Sequence, residues 1–329
     1  MEEHEIDKEN MKLVLERFPN MCQEAVELVK SIKVGNDFKD INIAGMGGSG
    51  ISGEILKYYL QEQKLPIFVV KDYVFPKHID EKSLLFVSSY SGDTEETIAV
   101  YKEALKKGCK IVGICAGGKL EELCKENNTL CVRIPSGISP RLSTPYQFFS
   151  MLVILHNSGI IENQANYVKK TVAALRKSFY RLSGKDLASK IGKKIPIIYG
   201  STRFLPVVMK WKTDINENAK IHAFYNVYPE FNHNEINGFV NKNGDYYIVI
   251  IRDQDDLKKI RMRMDITKKL IKNRGYDLTE VAIKGDCLLS RMFSTILLGL
   301  WVSYYLAILY ETDPTPVEII EELKKELVE

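Results

Sequence analysis

Two short loops carry residue types suited to chemistry on a charged ligand. The first, Gly45-Met46-Gly47-Gly48-Ser49-Gly50, follows an apolar run and precedes a helical stretch. Its spacing satisfies G-x-G-x-x-G, the dinucleotide fingerprint, and Asp72 stands where a ribose-binding acid would be expected. Small residues at such a turn also serve any phosphate, or simply let a helix pack close to a sheet. The second loop, Ser88 to Thr97, decides between these readings. It sets hydroxyls at Ser89, Ser91, Thr94 and Thr97 around the start of the next helix. Hydroxyls beside free backbone N–H groups suit a compact phosphate monoester, whose charge the helix dipole favours. An N-cap needs one hydroxyl, and four exceed that need. Ser49, Ser89, Ser91 and Thr94 are therefore expected to surround a single phosphate group, with the Gly47-Gly48 backbone beside them.

The elements that must position these loops alternate along the chain. Strands are expected at Ile41–Ala44, Ile67–Val70, Leu84–Ser89, Lys110–Cys115 and Leu130–Ile134, with helices at Gly50–Leu60 and Thr94–Lys107. Continuous apolar runs of four to six residues read as buried parallel strands. After Ser158-Gly159 a long helical region spans roughly Glu162 to Leu182. Alternation then resumes: strands at Ile195–Tyr199, Asp245–Ile251 and Leu278–Ile283, helices at Phe204–Ala219 and Asp256–Asn273. Two final helices cover Ser290–Tyr310 and Pro316–Val328. This predicts an α/β protein of two units, 1–157 and 158–329, each a doubly wound, mostly parallel sheet flanked by helices.

Composition narrows the class of partner. The 46 Lys and Arg nearly balance the 43 Asp and Glu, so no electrostatic argument points to nucleic acid or to an anionic membrane. The apolar run Ile296 to Tyr310 falls short of the roughly 18 residues of a membrane span, and a core or subunit-interface helix is expected. The N-terminus MEEHEIDKEN shows no secretory h-region. None of the six cysteines stands in a C-x-x-C pair or near a His at metal-ligand spacing, so free thiols in a reducing cytoplasm are expected.

Further segments carry a resemblance. They are Pro140-Arg141, the stretch Trp211 to Lys220 with its Asn-Glu217-Asn-Ala-Lys220 core, Pro229 to Ile236 containing His233 and Glu235, and Asp313 to Lys324. With the two loops, these resemble the sugar isomerase (SIS) domain, and more narrowly the archaeal-type bifunctional phosphoglucose/phosphomannose isomerases, over roughly residues 40 to 328. The chain departs from that family after Arg141, where Leu142-Ser143-Thr144-Pro145 replaces small residues and a Gly. The resemblance implies two SIS subdomains, a homodimer, neither metal nor cofactor, and a hexose 6-phosphate substrate. It implies interconversion of glucose or mannose 6-phosphate with fructose 6-phosphate through a cis-enediol. Glu217 then matches the base, His233 the ring-opening residue supplied by the partner subunit, Arg141 the enediolate partner and Lys324 the C-terminal lysine, with Lys325 adjacent.

The chemistry is consistent with those residue types. One carboxylate can move a proton between C1 and C2 on one face, an Arg stabilises the anionic enediolate, and His titrates where ring opening needs it. A catalytically silent SIS module that senses a sugar phosphate would need only the serine and glycine loops. Glu217, His233 and Arg141 favour the enzyme over it.

Overall fold

The apolar runs of the first half become five parallel strands: β1 (Asp40–Ala44), β2 (Ile67–Val70), β3 (Ser83–Ser88), β4 (Lys110–Cys115) and β5 (Leu130–Arg133). They agree with the expected spans to within a residue. In the computed structural model, which describes residues 2–327, the sheet order is β2-β1-β3-β4-β5. Every pairing is parallel, with Ala44 of β1 opposite Val70 on one side and Val87 on the other. β1 and β3 are buried along their whole length; Leu84–Val87 of β3 reads as an unbroken apolar run for that reason, whereas β1 carries buried Asp40 and Asn42, joined by a 2.6 Å hydrogen bond. Helices α1 (Glu3–Ile6), α2 (Met11–Val29), α3 (Gly47–Tyr59), α4 (Glu95–Lys106), α5 (Gly118–Glu126), α6 (Thr144–Asn157) and α7 (Ala165–Leu175) belong to this half of the sequence.

The second half repeats the plan. Strands β6 (Ile195–Ser201), β7 (Phe224–Tyr228), β8 (Tyr246–Arg252) and β9 (Asp277–Ala282) form a parallel sheet in the order β7-β6-β8-β9. Its helices are α8 (Phe179–Ile191), α9 (Leu205–Asp214), α10 (Lys258–Lys272), α11 (Leu288–Leu309) and α12 (Glu318–Glu326). Residues 17–176 with 286–290 make one compact unit, and the rest of the described chain makes the other.

Two differences from the sequence reading have physical causes. The single helical region expected over Glu162–Leu182 is two helices, α7 and α8, broken at Arg176-Lys177-Ser178 without a Gly or Pro to mark it. β7, Phe-Tyr-Asn-Val-Tyr, is an additional strand: at the sheet edge, with Phe224 half exposed, it lacks a continuous apolar signature. The Ile296–Tyr310 segment lies within α11, which is long and apolar enough to cross a membrane by length and composition, yet the chain itself buries most of it. Gly299 sits against the Trp211 indole, Gly184 of α8 sits against Trp301, and the Trp211 Nε1–H donates to the Thr295 carbonyl at 2.8 Å. The aromatic surface of this helix is thus accounted for inside the protein.

Candidate active site

The first sheet reverses direction between β1 and β3. The chain leaves β1 toward β2 on one side, and β3 toward β4 on the other. Such a switch point opens a crevice at the carboxyl ends of the two strands. Both strands run into helices there, α3 and α4, and neither has a side chain capping its first N–H groups. Two helix N-termini with unspent donors therefore face the crevice, an arrangement suited to an anion.

The hydroxyls are tied into this frame. Ser49 Oγ accepts from the Tyr90 N–H at 3.3 Å and from Gln147 Nε2 at 2.8 Å, which leaves its own proton to donate. Ser89 Oγ lies 2.8 Å from Thr94 Oγ1 and accepts the Gly92 N–H at 3.1 Å. Ser91 is exposed at the tip, its Oγ accepting the Asp93 N–H at 3.2 Å. Thr97, expected in the same cluster, is buried on the inner face of α4 with Val100, Tyr101 and Ala104. Gly92 adopts φ +81°, and a Cβ there would lie 1.8 Å from the Gly117 carbonyl oxygen. The loop can take this shape only with glycine at that position.

Arg141 comes to the same corner. It lies in the short turn Pro140–Leu142 that leads into α6, and it is 3% exposed. Its backbone rests on Gly48, where a Cβ would be 2.9 Å from both Arg141 Cα and the Pro140 oxygen. Pro145, part of the departure from the family pattern, sits in the first turn of α6, where a missing N–H costs nothing. The Tyr90 hydroxyl accepts the Ile138 N–H at 3.0 Å and so fastens the segment before Arg141 to the serine loop.

Gln147 belongs to no motif in the sequence, and its role comes from its place in the fold. Fully buried on α6, it donates to Ser49 and accepts from Ser52 Oγ at 3.0 Å, and Ser52 also donates to the Gly48 carbonyl. An amide three residues inside an apolar helix, Tyr-Gln-Phe-Phe, was the available signal.

In the other unit, Glu217 occupies a π-helical turn, Ile215–Ala219, that prolongs α9. Such turns are rare and concentrate at functional sites. The neighbouring residues explain the Asn-Glu-Asn-Ala-Lys run. Asn216 Nδ2 donates to the Ile221 carbonyl at 2.7 Å and closes the turn. Asn218 Nδ2 donates to Ser303 Oγ of α11 at 2.8 Å. Lys220 takes a left-handed backbone, φ +55°, and its ammonium donates to the carbonyls of Glu217, Asn218 and Asp313 at 3.2, 3.2 and 2.6 Å. The turn bearing Glu217 is thereby tied to the Asp313-Pro-Thr-Pro segment.

His233 lies in a tight turn, Glu230–His233, after β7, and is exposed. Glu217 precedes the five-residue strand β7 in the chain and His233 follows it; such a strand spans about 16 Å at about 3.3 Å per residue. Lys324 is exposed on α12, a helix with no buried residue. Glu230 and Glu235, the other acids beside His233, are engaged by Asn234 and by Tyr199 with Asn226 respectively. Among the described residues no group of three or more His, Cys, Asp or Glu side chains is arranged to hold a metal ion.

Comparison with known proteins fits this geometry. Residues 36–156 match the SIS domain, and residues 182–327 match the bacterial phospho-glucose isomerase C-terminal SIS domain. The chain is 40% identical to a bifunctional phosphoglucose/phosphomannose isomerase of Caldicellulosiruptor bescii, over 94% of this chain and 97% of that one. The chain belongs to the bifunctional phosphoglucose/phosphomannose isomerase family. Another relative of this phosphoglucose/phosphomannose isomerase family member, from Sulfolobus acidocaldarius, is named D-glucosamine-6-phosphate 4-epimerase and is 34% identical over 75% of this chain and 78% of that one. Among solved structures, the C-terminal domain of glucosamine-fructose-6-phosphate aminotransferase from Francisella tularensis shares the fold, with a TM-score of 0.70 at 19% identity over 93% of this chain and 97% of that one. The α/β architecture of SIS sheets expected from the sequence is the one present.

Proposed function

We propose that this protein is an aldose–ketose isomerase that interconverts glucose 6-phosphate and mannose 6-phosphate with fructose 6-phosphate through a cis-enediol. The observation that carries the reading is full-length kinship with enzymes of that name. The crevice between β1 and β3 supports its phosphate half. Ser49, Ser89, Ser91 and Thr94, with the N–H groups of Gly47 and Gly48, receive the 6-phosphate, so residues 1–157 supply binding.

Residues 158–329 supply most of the proton chemistry. Glu217 takes the C2 proton of the open-chain aldose and returns it to C1, a transfer worth roughly 10²–10⁴-fold. Arg141 faces the enediolate oxygens, and its fixed guanidinium stabilises that charge without reorganising. His233 protonates the ring oxygen as the pyranose opens, with Lys324 assisting. The placement of Glu217 before β7 and of His233 after it supports a homodimer in which His233 acts on the partner's substrate. No metal or cofactor enters the scheme, and the protein works in the cytoplasm on a free sugar phosphate.

Fructose 6-phosphate formation from glucose 6-phosphate and mannose 6-phosphate, assayed in parallel with EDTA present, tests the reading. Glucosamine 6-phosphate in a third reaction tests the 4-epimerase chemistry named for the Sulfolobus relative. Glu217→Gln keeps the size of the side chain but cannot take the proton, so kcat should fall on the order of 10³-fold or more, and solvent deuterium should no longer enter at C2. Binding without turnover in the wild type would favour a sugar-phosphate sensor. Retained exchange in Glu217→Gln would move the base elsewhere.

A further inference from the structure

The turn that carries His233 is poorly held by its own backbone. Its hydrogen bonds are local: Asn232 N–H to the Pro229 carbonyl at 3.0 Å, Asn237 N–H to Asn234 at 3.2 Å and Val240 N–H to Asn237 at 3.1 Å. Long-range ties come from side chains. Phe231 and Phe239 are buried against Tyr199, with Phe231 4.1 Å from the Tyr199 ring centroid and Phe239 6.4 Å from it. These contacts are apolar and set no orientation by themselves. Directional ties come from Asn232, whose Nδ2 donates to Thr267 Oγ1 at 2.9 Å, and from Glu235, two residues after His233. Its Oε1 accepts the Tyr199 hydroxyl and its Oε2 accepts Asn226 Nδ2, each at 2.6 Å.

Tyr199 of β6 and Asn226 of β7 are directly opposite each other in the parallel register. One carboxylate therefore spans a cross-strand pair. The orientation of Asn226 is determined, because its Oδ1 accepts the Val227 N–H at 2.8 Å and leaves only the amine for Glu235. Tyr199 is fully buried, and burial together with the charge of Glu235 keeps its phenol protonated and donating. Two fixed donors converge on two oxygens, and among side chains that geometry selects a carboxylate of glutamate length. Aspartate is one methylene short. Glutamine sets its amine against one of the donors. An apolar residue would serve the neighbouring aromatic cluster and cost less to desolvate.

We propose that Glu235 is a positioning residue for His233, clamping the turn that bears the histidine to the Tyr199–Asn226 pair. The role given to His233 rests on the isomerase reading above. Glu235 touches no reacting atom. It acts by holding the turn where the imidazole meets the ring oxygen, and placement errors near 1 Å cost up to about 10²-fold in such steps.

A double-mutant cycle tests this, with kcat, KM and the thermal midpoint measured for wild type, Glu235→Gln, His233→Ala and the double variant. The expected outcome is a kcat loss of about 10-fold or more in Glu235→Gln, with KM within about threefold, and no further loss when it is added to His233→Ala. A merely structural residue would instead lower both backgrounds equally, and that result overturns the proposal. If Glu235→Gln does not fold, Tyr199→Phe removes one donor and leaves the packing, and the same cycle is run with it. Wild type inactive on hexose 6-phosphates overturns the isomerase reading, and His233→Ala at full rate overturns the role of His233. An active wild type with an impaired His233→Ala and additive losses overturns the clamp alone.

Discussion

Gly48 separates a packing effect from a functional one. An alanine there places a methyl 2.9 Å from Arg141 Cα and 2.9 Å from the Pro140 oxygen, both backbone atoms. Ordinary contact needs about 3.5 Å or more, so the Pro140–Leu142 turn must retreat by roughly 0.5–1 Å. Two energies oppose each other. Alanine in the first turn of α3 gains about 0.5–1 kcal/mol over glycine in helix propensity, and overpacking against a wall costs about 1–3 kcal/mol. The clash outweighs the propensity over most of that range, for a net cost of up to about 2.5 kcal/mol. Activity should suffer more, because Arg141 moves with its backbone and a shift of that size costs up to about 10²-fold. Gly48→Ala is expected to lower kcat by about 10–10²-fold while the urea midpoint changes modestly. Gly238→Ala, where a Cβ meets nothing within 4 Å, should leave both near wild type. The measurements are initial rates with glucose 6-phosphate and equilibrium unfolding in urea. A kcat within twofold of wild type in Gly48→Ala would refute the reasoning, since either the turn yields freely or Arg141 does not stabilise the enediolate.

Three other outcomes follow from the geometry. Gln147→Leu removes the donor to Ser49 and the acceptor from Ser52; at about 0.5–1.5 kcal/mol per bond it should cost about 1–3 kcal/mol in stability and raise KM more than it lowers kcat. Lys220→Met deprives three carbonyls of their common donor; kcat should fall about 10-fold as Glu217 loses its fixed turn, with KM for sugar phosphate nearly unchanged. Glu280 is pushed up by burial, but Lys268 and Arg252, the latter at 2.9 Å, outweigh that and hold its carboxyl below the ordinary value. A depressed folded pKa means its contribution is present above the unfolded value of about 4.3 and is lost as pH falls through the lower folded value. The gap in urea midpoint between wild type and Glu280→Gln should therefore shrink below about pH 4.3, and a constant gap would show the ion pairs to be idle.

Much of the first sheet was legible because buried parallel strands leave a local record. The strand interiors are largely apolar where both faces are covered, with Asn42 of β1, hydrogen-bonded to Asp40, a buried polar exception, and Gly and hydroxyl residues mark the turns after β1 and β3. β7 left no such record, since an edge strand with one face half exposed can hold Asn226 and still pair. Helix α2 carries Pro19 inside its span, which speaks against a helix on local grounds. Its buried residues, Leu15, Phe18, Met21, Cys22 and Ala25, show that packing of its apolar face prevails.

The candidate site divides along the same line. Residue type and spacing determined that glycine and hydroxyl residues stand in the loops at strand ends, that an acid lies in an Asn-Glu-Asn-Ala-Lys run, and that a histidine follows a Pro-Glu-Phe-Asn segment. Those features depend on neighbours within a few residues. Tertiary structure alone decided that Gln147 orients Ser49 from 98 positions away, that Gly48 exists to admit the backbone of Arg141, and that Thr97 turns inward. It also decided that the Glu235 carboxylate spans a cross-strand pair, Tyr199 of β6 and Asn226 of β7. Each of these is a contact between segments far apart in sequence. Its existence depends on strand register and on sub-ångström packing distances, which no local pattern of residues encodes.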